Sequence, residues 1–212
     1  NGKRVGDFVM APGFTLYSKR HQYQTYDITD MLKNGENVLE VTVSSGWYAG
    51  RIVFHKGDWK PEIIAEIVLE YADGTKETIG TDATWFIGDG KVVFSDIYDG
   101  EIFDATRDTA NLVPVAENAD ADTSALISQD GEYVVEREVF AGSRIFKTPK
   151  GETVIDFGQN LTGYPQLCIN AKAGDRVCIS FAETLDKEGN FYNENYRSAK
   201  CRYEYTCCDG EQ

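Results

Sequence analysis

Residues 62–71 read EIIAEIVLEY. Ile63, Ala65, Ile67, Leu69 and Tyr71 share one parity, and Ile64, Glu66, Val68 and Glu70 the other. Side chains on a strand alternate between faces, whereas the apolar face of a helix recurs every 3.6 residues. The stretch therefore reads as a strand with one face in a core. Directly after it, YADGTKETI (71–79) sets Asp73-Gly74 between two strand-like runs, a strong hairpin signal because both residues tolerate positive φ. NVLEVTV (37–43) repeats the alternation through Leu39, Val41 and Val43. ATWFIG (83–88), KVVFS (91–95), EYVVEREVF (132–140), ETVIDFG (152–158), YPQLCIN (164–170) and DRVCISFAE (175–183) read as further strands. Only DITDMLKNG (27–35) offers a helical turn, opened by Asp27 or Thr29 and closed by Gly35. Many short strands with glycine-containing turns predict an all-β chain, two β-sandwich or jelly-roll domains with very little helix.

The chain has 212 residues, enough for two small domains, and 42 % of them are hydrophobic, enough to bury a core. Composition shifts at 106–131, a polar, acidic stretch rich in Ala, Asp, Asn and Thr. It sets the expected domains at 1–113 and 133–212, with a linker or long surface connection over 114–132. Formal charge is −14, which argues against nucleic acid and anionic membrane as partners. No apolar run approaches the roughly 18 residues of a membrane helix. The first ten residues lack the apolar core of a signal peptide. Cys168, Cys178, Cys201, Cys207 and Cys208 form an odd set with one vicinal pair, which suggests reduced thiols and a cytoplasmic location. No CxxC or Cys/His spacing calls for a metal, and no motif calls for a cofactor. His21 and His55 lack the local pattern of a nucleophile–base pair. Both chain ends read as cut from something longer.

The densest chemistry lies in SDIYDGEIFDA (95–105), where Asp96, Asp99, Glu101 and Asp104 surround Tyr98 and Phe103. Glycoside hydrolysis needs one carboxyl as acid and another as base or nucleophile, so this cluster is a site candidate. An acidic loop between strands has the same composition, and the spacing alone favours that reading. Asp96 and Asp104 are even-spaced, but a turn at Asp99-Gly100 resets the register. GWYAG (46–50) offers Trp47 and Tyr48 for stacking on a sugar, or as core rings beside a bulge, the reading that the flanking glycines favour. FYNENYRSA (191–199) offers Asn195 and Arg197 as contact residues. DKEGN (186–190) lacks the glycine and closing glutamate of a calcium loop and reads as a turn. The Asp-Phe-Gly at 156–158 is a chance match, since the other kinase motifs are absent.

Taken together, three stretches resemble one family. NGKRVGDFVMAPGFTLYSKRHQYQTYDITDMLKNGENVLEVTVSSGWYAG (1–50) is similar to the N-terminal β-sandwich domain of bacterial α-L-rhamnosidases. SDIYDGEIFDA resembles that domain's later signature, and the run from Val154 to Tyr205 resembles the β domain that follows. The part around YDITDMLKNGENVLEV also resembles galactose-binding-like jelly rolls. The resemblance implies an inverting glycosidase acting on terminal α-L-rhamnosides, whose catalytic carboxylates belong to a helical (α/α)6 barrel. Nothing here reads as that barrel, so the expectation is a non-catalytic β fragment that packs against it. A stand-alone lectin-like module is the alternative. The resemblance makes Asp96, Tyr98, Asp99 and Glu101 the expected edge toward barrel or sugar, with Asn195 and Arg197 second. Exposed sheet edges would favour a homodimer.

Overall fold

The computed structural model describes residues 1–52 and 59–212, so His55 lies outside the described residues. In chain order the strands are β1 (His21–Tyr23), β2 (Glu66–Glu70), β3 (Lys76–Gly80), β4 (Phe86–Asp89), β5 (Val92–Asp96), β6 (Gly100–Asp104), β7 (Ala110–Pro114) and β8 (Leu126–Ser128). They continue as β9 (Arg144–Lys147), β10 (Thr153–Asp156), β11 (Asn170–Ala171), β12 (Arg176–Ser180), β13 (Thr184–Leu185), β14 (Phe191–Tyr192), β15 (Arg202–Thr206) and β16 (Gly210–Glu211). Among the described residues the remaining regular elements are three single 3₁₀ turns, at Thr29–Met31, Thr123–Ala125 and Glu194–Tyr196. The chain is all-β.

It divides into two compact units. The first comprises Asn1–Lys91 and Arg107–Val134, the second Val92–Thr106 and Val135–Gln212. In the first unit β2 and β3 form the hairpin read from EIIAEIVLEY, with Ile67 opposite Ile79 and Glu70 opposite Lys76. Ala65, Ile67 and Leu69 are half-buried, while Ile64 and Val68 face solvent, as the period of two requires. Asp73 Oδ1 accepts hydrogen bonds from the Thr75 amide and hydroxyl, and Gly74 takes φ +84°, so the turn chemistry closes the loop. β4 pairs with β7, and β1 pairs in parallel with β8. Phe8 stacks on Tyr133 at 4.9 Å while the Val9 amide donates to the Val134 carbonyl.

The second unit is built on a four-stranded sheet in the order β12-β15-β6-β5. β5 and β6 form a hairpin, β6 and β15 run parallel, and β15 and β12 run antiparallel. The remaining pairs are β9–β10, β11–β16 and β13–β14.

The two units do not follow chain order. The stretch 114–132 belongs to the first unit, and β8 within it pairs with β1. The hairpin 92–104 supplies two of the four strands of the second unit's sheet. Parallel pairing between residues about a hundred positions apart leaves no local signal, because each strand looks the same whichever partner it finds. Likewise 37–43, 132–140 and most of 164–170 have no ladder partner among the described residues. Alternation specifies an apolar face, not a neighbour to bond with.

Apolar faces are largely uncovered. Among the described residues Phe8 and Cys207 are the buried apolar side chains, whereas Val139 is 84 % exposed and Ile145 70 %. The accessible surface is 16,296 Å². Two independent domains of half this mass would expose together about 12,000 Å².

Candidate functional site

The stretch 95–105 folds as the end of β5, a tight turn and β6. Asp96 pairs with Gly100, Ser95 with Glu101 and Phe94 with Ile102. The Asp96 carboxylate accepts the amides of Tyr98 and Asp99 at 2.8 and 3.0 Å, folding the turn around itself. This is turn chemistry for which aspartate is well suited. Gly100 sits at φ +93°, and a Cβ there would collide with the Arg202 backbone. Only glycine satisfies both the left-handed backbone and that close approach. At the two ends of β6 the sheet is extended by Cys201 donating to the Tyr98 carbonyl and Ala105 to that of Thr206.

The pleat sorts the side chains. Glu101 and Phe103 share one face with Tyr203 and Tyr205, their partners on β15, and with Val177 and Ile179 beyond on β12. Phe103 stacks on Tyr205 with centroids 5.2 Å apart and planes 3° from parallel, and Phe181 meets Tyr203 edge-on at 5.1 Å. Gly100, Ile102 and Asp104 lie on the opposite face with Arg202 and Glu204. Glu101 is therefore a carboxyl on an aromatic face. Desolvation by burial raises its pKa above the ordinary glutamate value, the direction wanted in a proton donor. The neighbouring Tyr203 hydroxyl is raised first by burial and then by the Glu101 charge. Asp96 is committed to the turn and points to the face opposite Glu101. Asp96 and Glu101 are thus no pair of carboxylates facing each other across a gap for a glycosidic bond, and the loop reading of the spacing gives way to a built element of the sheet.

The other expected residues fall elsewhere. Trp47 and Tyr48 lie in the first unit, half-buried in a cluster of rings. Tyr17 meets Tyr48 at 5.2 Å, Tyr48 meets Trp59 at 5.0 Å, Phe14 meets Trp47 at 6.5 Å and His21 stacks on Tyr17 at 5.8 Å. Asn195 is exposed on the third 3₁₀ turn, and Arg197 caps that turn at φ +57°. Within the second unit the Tyr98–Cys201 bond ties the 95–105 hairpin to the segment that follows Arg197.

Asp186 accepts the Asn190 amide and side-chain amide, and Asn190 in turn accepts the Lys150 amide. Its oxygens serve a turn, as the sequence predicts, and among the described residues no cluster of His, Cys, Asp or Glu is set to hold a metal. Asp156 of the Asp-Phe-Gly triplet accepts the Gly158 amide and Arg144 Nε, a structural role.

One recurrent device escaped the sequence reading. Asp27-Ile-Thr29, Asp73-Gly-Thr75, Asp82-Ala-Thr84, Asp104-Ala-Thr106 and Asp122-Thr-Ser124 each bond the carboxylate to the amide and hydroxyl two residues on. Hydrogen bonds from the threonine or serine hydroxyl, then from the amide, lower the pKa of Asp27, Asp73, Asp82 and Asp122. The Asp-x-Thr/Ser spacing was the available signal.

Comparison with known proteins supplies the family. Residues 1–144 match the model of the α-L-rhamnosidase N-terminal domain, and residues 146–212 that of the bacterial α-L-rhamnosidase concanavalin-like domain. An α-L-rhamnosidase of Streptomyces avermitilis is 36 % identical over 220 residues, covering 97 % of this chain and 21 % of the relative. One from Formosa agariphila is 35 % identical over 214 residues, covering 94 % of this chain and 23 % of the relative. The crystal structure of the Streptomyces avermitilis α-L-rhamnosidase complexed with L-rhamnose superposes with a TM-score of 0.88 at 30 % identity, covering all of this chain and 22 % of that one. The chain spans less than a quarter of the length of these relatives, and across that span it belongs to the α-L-rhamnosidase family as its N-terminal domain followed by its concanavalin-like domain.

Proposed function

We propose that this chain is the non-catalytic β portion of an α-L-rhamnosidase-like glycoside hydrolase, whose exposed apolar faces seat against a helical catalytic domain of the same enzyme. The parent would hydrolyse terminal α-L-rhamnosides with inversion. The observation that carries this is the match: two consecutive domains of one family cover nearly every residue, over less than a quarter of the relatives' length. The uncovered surface supports it. The excess of roughly 4,000 Å² over two closed domains is on the scale of an obligate interface. The separation of Asp96 and Glu101 onto opposite faces argues against catalysis by this hairpin alone. The test is turnover of an aryl α-L-rhamnoside by the 212-residue chain. No hydrolysis is expected. Hydrolysis abolished by Asp99→Asn or Glu101→Gln would overturn the reading.

The ring cluster favours a second reading, a carbohydrate-binding module. Phe14 is 64 % exposed and Trp59 40 %, so apolar ring surface is open to a pyranose. Calorimetry with L-rhamnose and oligorhamnosides tests it: heat that Trp47→Ala or Tyr48→Ala diminishes supports the module, and silence at millimolar sugar counts against it.

A further inference from the structure

The second unit carries a groove of about 410 Å³, within the size range of small-molecule sites, lined by Ser180, Asn193, Glu194, Arg197, Lys200 and Arg202. Three of these residues are cationic and one is anionic, in a chain whose formal charge is −14. Arg202 Nε is held between Glu204 Oε1 at 3.2 Å and Cys178 Sγ at 2.8 Å, which orients its guanidinium. Neither Arg197 nor Lys200 forms an ion pair with another described residue. Arg202 has Glu204 as its counter-ion, whereas the charges of Arg197 and Lys200 are left for an anion in the groove to complete.

The backbone adds a second observation. Arg197 and Cys201 take φ +57° and +46°, two of the four non-glycine residues with positive φ among those described, and they bracket Ser198–Lys200. Residues with larger side chains avoid this region, and where they occupy it the surroundings impose it, often beside a ligand. The segment that sets the cations into the groove is thus the segment whose backbone is forced.

We propose that this groove binds an acidic monosaccharide unit, a uronate or a sulfated sugar. Its oxyanion lies between Arg197 and Lys200, and its hydroxyls meet Asn193, Ser180 and Glu194. A guanidinium fork matches a planar carboxylate or a sulfate face, and an ammonium adds a mobile point charge. Glu194 accepts sugar hydroxyls while excluding a second anion. That the oxyanion is carried by a saccharide rests on the glycosidase reading above, and the oxyanion site itself does not.

Calorimetric titration of the 212-residue chain at low ionic strength tests it, with sodium glucuronate, glucose 6-sulfate, glucose and sodium sulfate as probes. The two acidic sugars are expected to bind in the millimolar range, glucose to give no heat, and inorganic sulfate to bind more weakly than either. Arg197→Gln and Lys200→Gln each weaken the acidic sugars about tenfold, while Lys19→Gln in the first unit leaves binding unchanged. Lys200→Gln keeps the test valid if Arg197→Gln disturbs the forced backbone. Absence of heat with both acidic sugars, or binding indifferent to both variants, overturns the site. Sulfate binding as tightly as glucuronate overturns its assignment to a saccharide. The readout involves no turnover, so failure here leaves the rhamnosidase reading standing, and hydrolysis by the chain would leave the groove standing.

Discussion

Gly100 shows how much one residue decides here. It pairs with Asp96 across the hairpin, its φ is left-handed, and its missing Cβ lets β6 approach Arg202 on β15. Gly100→Ala should destabilise the second unit by about 2–4 kcal/mol, from backbone strain and steric collision together, measured by denaturant midpoint. Glu101 makes the opposite case. Its pKa is raised in the folded chain by burial, so folding holds the protonated form better than the charged one. The stability linked to it is fully present below the unfolded glutamate pKa and is lost as pH rises through the folded pKa. Glu101→Gln removes that loss. It should raise the melting temperature at pH 7 by about 1–2 °C, a small value because half-exposed charge is screened, and the gain should vanish under acid. Asp27, Asp73, Asp82 and Asp122, whose pKa is lowered, act with the reverse sign: their contribution is present above the unfolded aspartate pKa and is lost as pH falls through their folded values.

At the scale of elements, the 92–104 hairpin works as an inserted piece. Its two strands complete a sheet whose other half comes from the last forty residues. Asp96→Ala removes the acceptor for the Tyr98 and Asp99 amides. Hydrogen exchange at those two amides should then accelerate by at least about tenfold, and the Cys201 amide, bonded to the Tyr98 carbonyl, should follow if the turn opens. The β2–β3 hairpin was legible in advance because its information is local: alternation on one side, Asp-Gly chemistry at the turn, and Lys76 opposite Glu70 at 3.0 Å. The hairpin at 92–104 was harder to read because the Asp96 cap and Gly100 both sit where a loop was expected. Its partner strand gives no trace in its own stretch.

For the whole molecule the telling quantity is uncovered apolar surface. Val139, Ile145, Phe86 and Leu112 are all more than half exposed. A dye that fluoresces on apolar surfaces should bind the isolated chain strongly, and sedimentation should show self-association that grows with concentration. On the function proposed above, adding the catalytic domain of an α-L-rhamnosidase should suppress both. A dye-silent, strictly monomeric chain would mean that these faces need no cover.

What the residues settled alone was class and family: a period of two across short runs, turns at glycine, scarce helix, and three stretches resembling α-L-rhamnosidase β domains. These are local or cumulative properties, so they survive without knowledge of any partner strand. Only the tertiary structure decided that SDIYDGEIFDA is a hairpin serving the second unit. It also put Glu101 and Asp96 on opposite faces, and gathered Arg197, Lys200 and Arg202 around one groove. Each of those depends on which distant strand lies alongside, and backbone hydrogen bonds between strands carry no label of sequence.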